Sequence, residues 1–592
     1  MNLWIAKLGM RDFKTLQLEQ FQEIAHGFWM LKNAKISEYK TEHLHYLSYR
    51  SPFKISKKRY SDIGEKLLGY SGLILPILKS GEDFGDIATF LKYEDDLPAL
   101  LDNATGQFSL FKASVDYFEC ITDNLGAHKI YYCEQDNGTV YVSNFLPMIR
   151  AGLGSSNPNY NFFVDWIAAG GNYGYATEEK DIFNLPEYGR LTWSASNGLE
   201  VSRYHDISRM IIPAASQKKY INECADHLSN AIHYLSKTRQ SVLTLSGGYD
   251  SRLILSMFHG LPKESLECYT YPDHIYDMSL ARKAAGKFGF PHTVLRADDM
   301  PDVYELDEFI QEDETPYWCY SNVFRYLFKD KIRSLLRGGQ KVLLRGDAGG
   351  TPHPKLKKFS ELRGNIEFLV DELAMSMLNL QILTPDAKES LSQRFRSYYV
   401  DKYGPFFREN LTLNLAVIQH YFERFRQYQT GKLIHHTYDC DLFLPYGNET
   451  YIQTTFNAST EELYRYKNES IHHQLYEKFT GGKISSPDFT TGVHWDANNI
   501  QKIKYQIERK VLQPRFKPDV KYTSKIRAEF FNTNLDYFRE IVRSSSDSDI
   551  WHFFDRKQIE SLLKPGDESH LGNMKVIFRI IPLLKRDFSF HK

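Results

Sequence analysis

The stretch from Ser241 to Ser251, Ser-Val-Leu-Thr-Leu-Ser-Gly-Gly-Tyr-Asp-Ser, constrains the fold of this chain more than any other. An apolar, β-prone run ends in two glycines, and an apolar-periodic run from Leu253 to Phe258 follows. This order predicts a buried parallel strand, a tight turn and a helix. We therefore expect an α/β sheet in this part of the chain.

The turn has the composition of an anion-binding loop. Gly247 and Gly248 allow backbone N–H groups to approach a ligand, because a side chain there would block the approach. The N-terminus of the following helix, with the hydroxyls of Ser246 and Ser251, completes a cradle suited to pyrophosphate. Asp250 would repel phosphate unless it holds a bridging Mg²⁺. A structural turn is the alternative interpretation.

The string Ser-Gly-Gly-Tyr-Asp-Ser, in which Tyr249 is the variable position, resembles the PP-loop of ATP pyrophosphatases. It is not a Walker A loop, because no Gly-Lys-Ser/Thr closes it, and the dinucleotide fingerprint Gly-x-Gly-x-x-Gly is absent. The resemblance implies that ATP is cleaved between its α and β phosphates, which gives AMP and pyrophosphate.

Composition narrows the class of protein. The chain has 592 residues with 42% hydrophobic and 25% charged residues and a net charge of −1, typical of a globular protein of two or three domains without a polyelectrolyte partner. No apolar run has membrane-span length, and no signal peptide is evident. The six cysteines lack Cys-x-x-Cys spacing, so we expect neither a zinc site nor a redox motif, and a reducing cytoplasm as the location.

The chain changes character near residue 205. Residues 1–205 carry short alternating runs that predict antiparallel strands in a layered domain. Five such runs are 44–49, 106–111, 117–122, 129–133 and 139–143, and a helix is expected at 161–169.

Residues 206–592 form the second predicted domain, with an α/β core at 215–360 and a helical part at 361–592. The core is expected to hold strands at 242–245, 266–270, 293–296 and 341–345, and helices at 218–236, 277–288 and 321–336. This alternation predicts a parallel sheet with helices on both faces. Ligands bind at the carboxyl ends of such strands, which places Ser246, Tyr269 and the run Arg345-Gly346-Asp347 on one rim.

The order of these parts resembles the asparagine synthetase B family. Three segments carry the match ahead of the PP-loop: Thr105–Leu110, Asp123–Tyr132 and Phe183–Gly189. The resemblance implies an Ntn-hydrolase-like N-terminal glutaminase domain and a C-terminal doubly wound parallel-sheet synthetase domain with a helical extension. The predicted fold class is therefore mixed α/β and α+β.

Two departures from the family pattern affect function. The family's glutaminase uses an N-terminal Cys, whereas here Met1 is followed by Asn2 and the first cysteine is Cys120. We therefore expect an inactive, scaffold-only N-terminal domain. At the rim of the fourth strand, Asp347 keeps one family carboxylate, but Gly350 stands in place of the second.

The candidate site residues follow from the loop and the resemblance. Asp250 and Asp347 are the predicted Mg²⁺ ligands, and ATP is expected to bind Ser246–Ser251, Tyr269 and Gly346. Asp347 and Arg345 are the predicted catalytic residues, with a surface ion pair as the alternative role of Arg345. Lys467 or Lys483 is a candidate for the family's pyrophosphate-neutralising Lys, with an ordinary solvated Lys as the alternative.

Further candidates each have a structural alternative. Asp277 and Ser279 lie where the family's second helix begins, and Asp277 could equally be an N-cap. The segment 313–316 and the helix 420–426 with the turn 442–446 resemble substrate-lining parts of the family, and they could instead cap a helix or fill the core.

These observations predict an ATP-dependent amide-bond-forming ligase that adenylates a substrate carboxylate and passes the acyl group to an amine, without glutaminase activity. The expected partners are a small-molecule or peptide carboxylate and an amine, with a homo-oligomer or a biosynthetic partner protein as options. The alternatives are a non-catalytic ATP-binding protein and ammonia-dependent amidation of a sugar acid or amino acid. Neither nucleic acid nor membrane is expected as a partner.

Overall fold

The structure is a computed structural model. It describes residues 2–9, 16, 21–22, 35–50, 60–63, 66–77, 92–93, 95–169, 174–210, 217–273, 275–307, 323–336, 341–347, 349, 380–408, 421, 423, 440–456, 471–482, 499–500, 503 and 522–590. Every structural statement below concerns these residues.

The N-terminal region (residues 2–210) contains two antiparallel sheets. Their strands are β1 (Asn2–Leu8), β2 (Lys35–Lys40), β3 (Leu44–Arg50), β4 (Tyr60–Ile63), β5 (Lys66–Pro76), β6 (Ala104–Ala113), β7 (Tyr117–Thr122), β8 (Tyr131–Glu134), β9 (Val140–Ser143), β10 (Phe183–Asn184), β11 (Gly189–Ser194) and β12 (Gly198–Arg203). One sheet has the order β10-β8-β9-β1-β3-β2 and the other β12-β11-β7-β6-β5-β4.

The two sheets face each other across an aromatic core. Trp4 of β1 contacts Phe111 of β6, with ring centroids 5.0 Å apart, and Trp193 of β11 joins the same cluster. Helix α1 (Leu97–Leu101) packs on the outer face of one sheet and α2 (Leu146–Leu153) on that of the other, and α3 (Tyr160–Ala169) follows. The predicted layered antiparallel arrangement is confirmed.

The C-terminal region is built on a parallel sheet with the strand order β15-β14-β13-β16-β17. Its strands are β13 (Ser241–Thr244), β14 (Leu266–Thr270), β15 (His292–Val294), β16 (Val342–Leu344) and β17 (Asp441–Phe443). Register pairs Leu243 with Cys268 on one side and with Leu344 on the other. The strand order changes direction between β13 and β16, and ligands of such sheets bind at this switch point.

Helices surround the parallel sheet and continue to the C-terminal end of the described residues. They are α4 (Gln217–Thr238), α5 (Tyr249–Met257), α6 (Ile275–Phe288), α7 (Val323–Tyr326), α8 (Lys329–Leu335), α9 (Pro385–Arg408), α10 (Glu449–Phe456), α11 (Ile471–Thr480), α12 (Tyr522–Thr533), α13 (Leu535–Ser544), α14 (Arg556–Leu562) and α15 (Leu571–Phe590). The predicted fold class, with antiparallel sheets followed by a parallel sheet and helices, is thus confirmed.

Two details differ from the sequence prediction. The single helix expected at 321–336 is two short helices, because the Leu327 carbonyl accepts a hydrogen bond from the Asp298 N–H (3.1 Å) and the buried Phe328 starts a new turn. The segment 442–446, predicted as a turn, overlaps the edge strand β17, whose Leu442 pairs with Leu343.

Across the described helices, none combines the length with the apolar character that a bilayer crossing requires.

Candidate functional site

The loop between β13 and α5 is held by its own hydroxyl groups. The Ser251 Oγ accepts from the Ser246 N–H (3.0 Å) and lies 3.1 Å from the Ser246 Oγ, which accepts from the Gly248 N–H (3.1 Å). Gly248 is the N-cap of α5, and no side chain caps this end of the helix. The two serines therefore shape the loop, and the first turn of α5 is left for another acceptor.

Asp277 supports the loop from the neighbouring helix. Helix α6 begins at Ile275, so Asp277 lies inside its first turn, and its Oδ1 accepts the Gly247 N–H at 3.0 Å. The N-cap role considered for Asp277 is therefore wrong, since its carboxylate bonds to the loop instead. Ser279 is exposed on the same helix.

Asp250 projects from the first turn of α5, and its side chain is 37% exposed. The Nε2 of His472, on α11, lies 2.9 Å from the Asp250 Oδ1. This Nε2 is buried and has no partner with hydrogen-bond geometry, so the two groups are close in space without an aligned hydrogen bond. No local sequence pattern pointed to His472.

The second loop follows β16 and brings the two predicted catalytic residues together. The Arg345 Nε donates to the Asp347 Oδ2 at 2.8 Å, and both side chains are about three-quarters buried or more, at 22% and 24% exposed. Burial lowers the pKa of Arg345, but Asp347, Tyr271 and Tyr269 outweigh it and raise the pKa above its ordinary value. The predicted ion pair of Arg345 is present, and it lies at the rim of the sheet.

The two loops meet through glycines that leave no room for side chains. A Cβ on Gly349 would lie 2.5 Å from the Tyr446 ring and 2.7 Å from the Asp250 Cγ. A Cβ on Gly346 would lie 3.1 Å from the Asp250 Cβ and from the Ser251 backbone nitrogen. The predicted loops are thus in contact at the switch point of the sheet.

Tyr269 and Tyr249 differ in how deeply they are buried. Tyr269 is fully buried below the rim, its hydroxyl accepts from the Thr244 hydroxyl at 2.7 Å, and its ring packs edge-on against Tyr271. Tyr249 is half-buried in the loop, and its ring lies 4.9 Å from the Arg252 guanidinium. The half-buried Tyr271 lies nearer the solvent than Tyr269.

A segment after β17 contacts both loops of the site. We call Leu444–Tyr451 the bridge segment. The hydroxyl of Tyr446 donates to the Asp250 carbonyl at 2.6 Å, and that of Tyr451 to the Gly349 carbonyl at 3.4 Å. The two rings touch each other, and both contact His472.

The residues fit an ATP substrate with a magnesium ion. A Cβ on Gly248 would meet one neighbour, the Ser246 Oγ at 3.1 Å, so the backbone stays accessible there, and the uncapped start of α5 suits a phosphate. Asp250 and Asp347 supply the carboxylate oxygens that Mg²⁺ prefers, and Mg²⁺ takes most remaining ligands from water and substrate phosphates. No cluster of three metal-binding side chains occurs among the described residues.

Several predicted residues lie outside the described part of the chain. They are Lys467, Lys483, Gly350, the segment 313–316 and most of the helix 420–426. Of that helix, the structure describes Tyr421 and Glu423, and both are buried.

Comparison with known proteins finds one family match, in the part of the chain that holds both loops. Residues 223–351 match the family model described as asparagine synthase, and this stretch contains β13, β16 and both loops. The match supports ATP-dependent amide-forming ligation as the general chemistry. None of the curated proteins compared with the chain matches it.

Solved structures give weaker likenesses. One is the glutamine phosphoribosylpyrophosphate amidotransferase of B. subtilis complexed with ADP and GMP, at 8% identity over 53% of this chain and 93% of that chain, with a TM-score of 0.24. Another is an allosteric regulatory enzyme of purine biosynthesis, at 11% identity over 61% and 78%, with a TM-score of 0.23. A third is the NH3-dependent NAD synthetase of Campylobacter jejuni, at 16% identity over 36% and 96%, with a TM-score of 0.19.

Proposed function

We propose that the chain adenylates a substrate carboxylate with ATP and transfers the acyl group to an amine. The match of residues 223–351 to the asparagine synthase family model supports this proposal. The observation that carries the proposal is the contact between the Ser246–Ser251 loop and the Gly346–Gly349 turn at the switch point of the parallel sheet. The Ser246–Ser251 loop would bind the phosphates of ATP. The second loop would present the Arg345–Asp347 ion pair to the carboxylate and amine substrates.

The proposed chemistry proceeds in two steps. A carboxylate oxygen attacks the α-phosphorus of ATP, and the bond to the bridging oxygen breaks, so that pyrophosphate leaves. An amine nitrogen then attacks the acyl carbon, AMP leaves, and a base takes the amine proton. Bound Mg²⁺ would neutralise the phosphate charge, held by Asp250 and Asp347.

The residues of the chain have distinct parts in this scheme. The backbone N–H groups at the start of α5 bind and orient the phosphates. Arg345 keeps its positive charge and can hold an anionic oxygen, while the carboxylate of Asp347 can orient the amine or accept its proton. His472 adds a polar group next to Asp250.

The N-terminal region is proposed to lack glutaminase activity. Every cysteine that the structure describes is buried and forms no disulfide. Burial, then Asp181 and Glu134, raises the pKa of Cys133 to about 11, and burial followed by Glu119 raises that of Cys120 well above its ordinary value. Protonated, enclosed thiols are poor nucleophiles. The cysteines also motivate a reducing cytoplasm as the proposed location.

The amine and the carboxylate are proposed only by chemical class. A peptide or small molecule that carries both groups, two separate substrates, and ammonia with a sugar acid or amino acid all suit the scheme. A second copy or a biosynthetic partner protein is a further proposal. The alternative function is non-catalytic ATP binding, which the missing second carboxylate at Gly350 favours.

The test is nucleotide analysis of Mg·ATP incubated with the protein and a small-molecule extract of its source cells. We expect extract-dependent AMP and pyrophosphate, lost in Asp250→Ala and kept in Asp226→Ala, because Asp226 is exposed on α4 and belongs to neither loop. Formation of ADP and phosphate would contradict the adenylation chemistry. Tight ATP binding without turnover, with peptide acceptors also supplied, would favour the binding protein. Glutamate formed from glutamine above the background rate would contradict the inactive glutaminase.

A further inference from the structure

The bridge segment is held on one side by the N-terminal region. The Leu444 N–H donates to the Oε1 of Gln107 at 2.7 Å, and the Nε2 of Gln107 donates back to the Leu444 carbonyl at 3.4 Å. The Nδ2 of Asn124 donates to the Gly447 carbonyl at 3.0 Å. Gln107 belongs to β6 and is 3% exposed, so its paired bonds to Leu444 are shielded from water.

On its other side the same segment holds both nucleotide loops. Tyr446 lies between the two anchored residues, and its hydroxyl bonds to the carbonyl of Asp250 in the first turn of α5. Burial, followed by Asp250, raises the pKa of Tyr446 well above its ordinary value, so the hydroxyl keeps its proton and remains a donor. Tyr451 makes the corresponding bond to Gly349 in the second loop.

The segment between the two sides is stiff. Residues Pro445–Gly447 form a 3₁₀ turn, in which the Gly447 N–H donates to the Leu444 carbonyl at 2.9 Å and the Asn448 N–H to the Pro445 carbonyl at 3.1 Å. A Cβ on Gly447 would lie 3.1 Å from the Nε2 of Gln107, so the turn also fits closely against the N-terminal sheet. A shift at one side would therefore be transmitted to the other.

We propose that Gln107 and Asn124 are positioning residues of the nucleotide site and act through Tyr446. The N-terminal region then has a use that needs no glutamine hydrolysis, because it fixes the start of α5 where the phosphates bind. The ligand's identity rests on the proposed function, but the mechanical link rests on the hydrogen bonds alone.

The test compares two asparagines that make the same kind of bond. Asn124→Ala removes a 3.0 Å amide-to-carbonyl bond between the two regions at the bridge segment, and Asn230→Ala removes another, from α4 to the Ile77 carbonyl, away from it. Both side chains are half-buried. Amide hydrogen exchange at residues 249–254 is measured in the full chain without nucleotide.

We expect about fivefold faster exchange at these amides in Asn124→Ala and no change in Asn230→Ala, the size that one lost hydrogen bond gives. Tyr446→Phe should have the same effect, and the double variant should add little, because both act on one connection. The affinity for a non-hydrolysable ATP analogue should fall about fivefold in parallel.

Equal exchange in the two asparagine variants, or full additivity with Tyr446→Phe, would overturn the proposal. If Asn124→Ala fails to fold, Asn124→Asp, which keeps the size of the side chain but lacks the Nδ2 donor, is compared with Asn230→Asp. Failure of the proposed function looks different, since the analogue would then not bind the unchanged protein while the exchange difference persists.

Discussion

At the scale of single residues, the glycines decide whether the two loops can meet. Gly349 is the tightest position, because a Cβ there would press on both Tyr446 and Asp250. Neither neighbour can retreat easily, since the Tyr446 hydroxyl and the Asp250 carbonyl are bonded to each other. Because the contact is so close, adding one methyl group at Gly349 should disturb the site.

We predict that Gly349→Ala weakens ATP binding about fivefold or more, because overpacking typically costs about 1–3 kcal/mol. Titration calorimetry with a non-hydrolysable analogue measures it. The control is Gly286→Ala, since Gly286 is exposed in α6 and has open space where a methyl group would stand. Alanine there should leave binding unchanged and stabilise the helix by up to about 1 kcal/mol. Equal affinities in the two variants would contradict the prediction.

At the scale of elements, helix α6 takes part in the site through its first turn. Asp277→Ala should raise the ATP dissociation constant about tenfold, because the Gly247 N–H loses its acceptor and the loop loosens. Asp277→Asn keeps an amide oxygen within reach of the Gly247 N–H, so its affinity for ATP should fall less. Lys283→Ala, exposed on the same helix, is the matched control. A loss in Asp277→Asn as large as in Asp277→Ala would show that charge, not the hydrogen bond, matters.

The strands show which elements local sequence patterns can predict. Local patterns predicted β7 and β14 to the residue, because strand alternation and apolar runs are short-range signals. The edge strand β17 was missed, since it has three residues and pairs with β16 from a distant part of the chain. Asp277 was singled out, but its bond to the Gly247 N–H was not foreseen, and His472 was missed, because both depend on contacts that only the fold creates.

At the scale of the whole molecule, several side chains join the two regions. Arg394 of α9 donates to Asp165 of α3 at 2.7 Å, and Arg579 of α15 donates to the Ile167 carbonyl at 3.1 Å. Burial raises the pKa of Asp165 to about 6, even though Arg394 acts to lower it. The charge of this carboxylate is therefore costly in the folded protein.

This cost predicts a pH dependence of stability. The folded protein holds the Asp165 proton more tightly than the unfolded chain does. The contribution of Asp165 to the free energy of unfolding is therefore most favourable below about pH 4 and is lost as pH rises to about 6. Between pH 4 and pH 7, this contribution to the free energy of unfolding is expected to change by about 3 kcal/mol. Denaturant unfolding of the protein and of Asp165→Asn at pH 4 and pH 7 checks it. A difference between the two proteins that does not change with pH would contradict it.

The position of β17 has a consequence for the order in which the protein is made. The strand and Tyr446 emerge from the ribosome well after β13 and β16 have been synthesised. Until then β16 has an unpaired edge, and such edges invite pairing with other chains. The nucleotide site is thus completed late in synthesis, and a fragment that ends before residue 440 would lack both the edge strand and the anchor of α5.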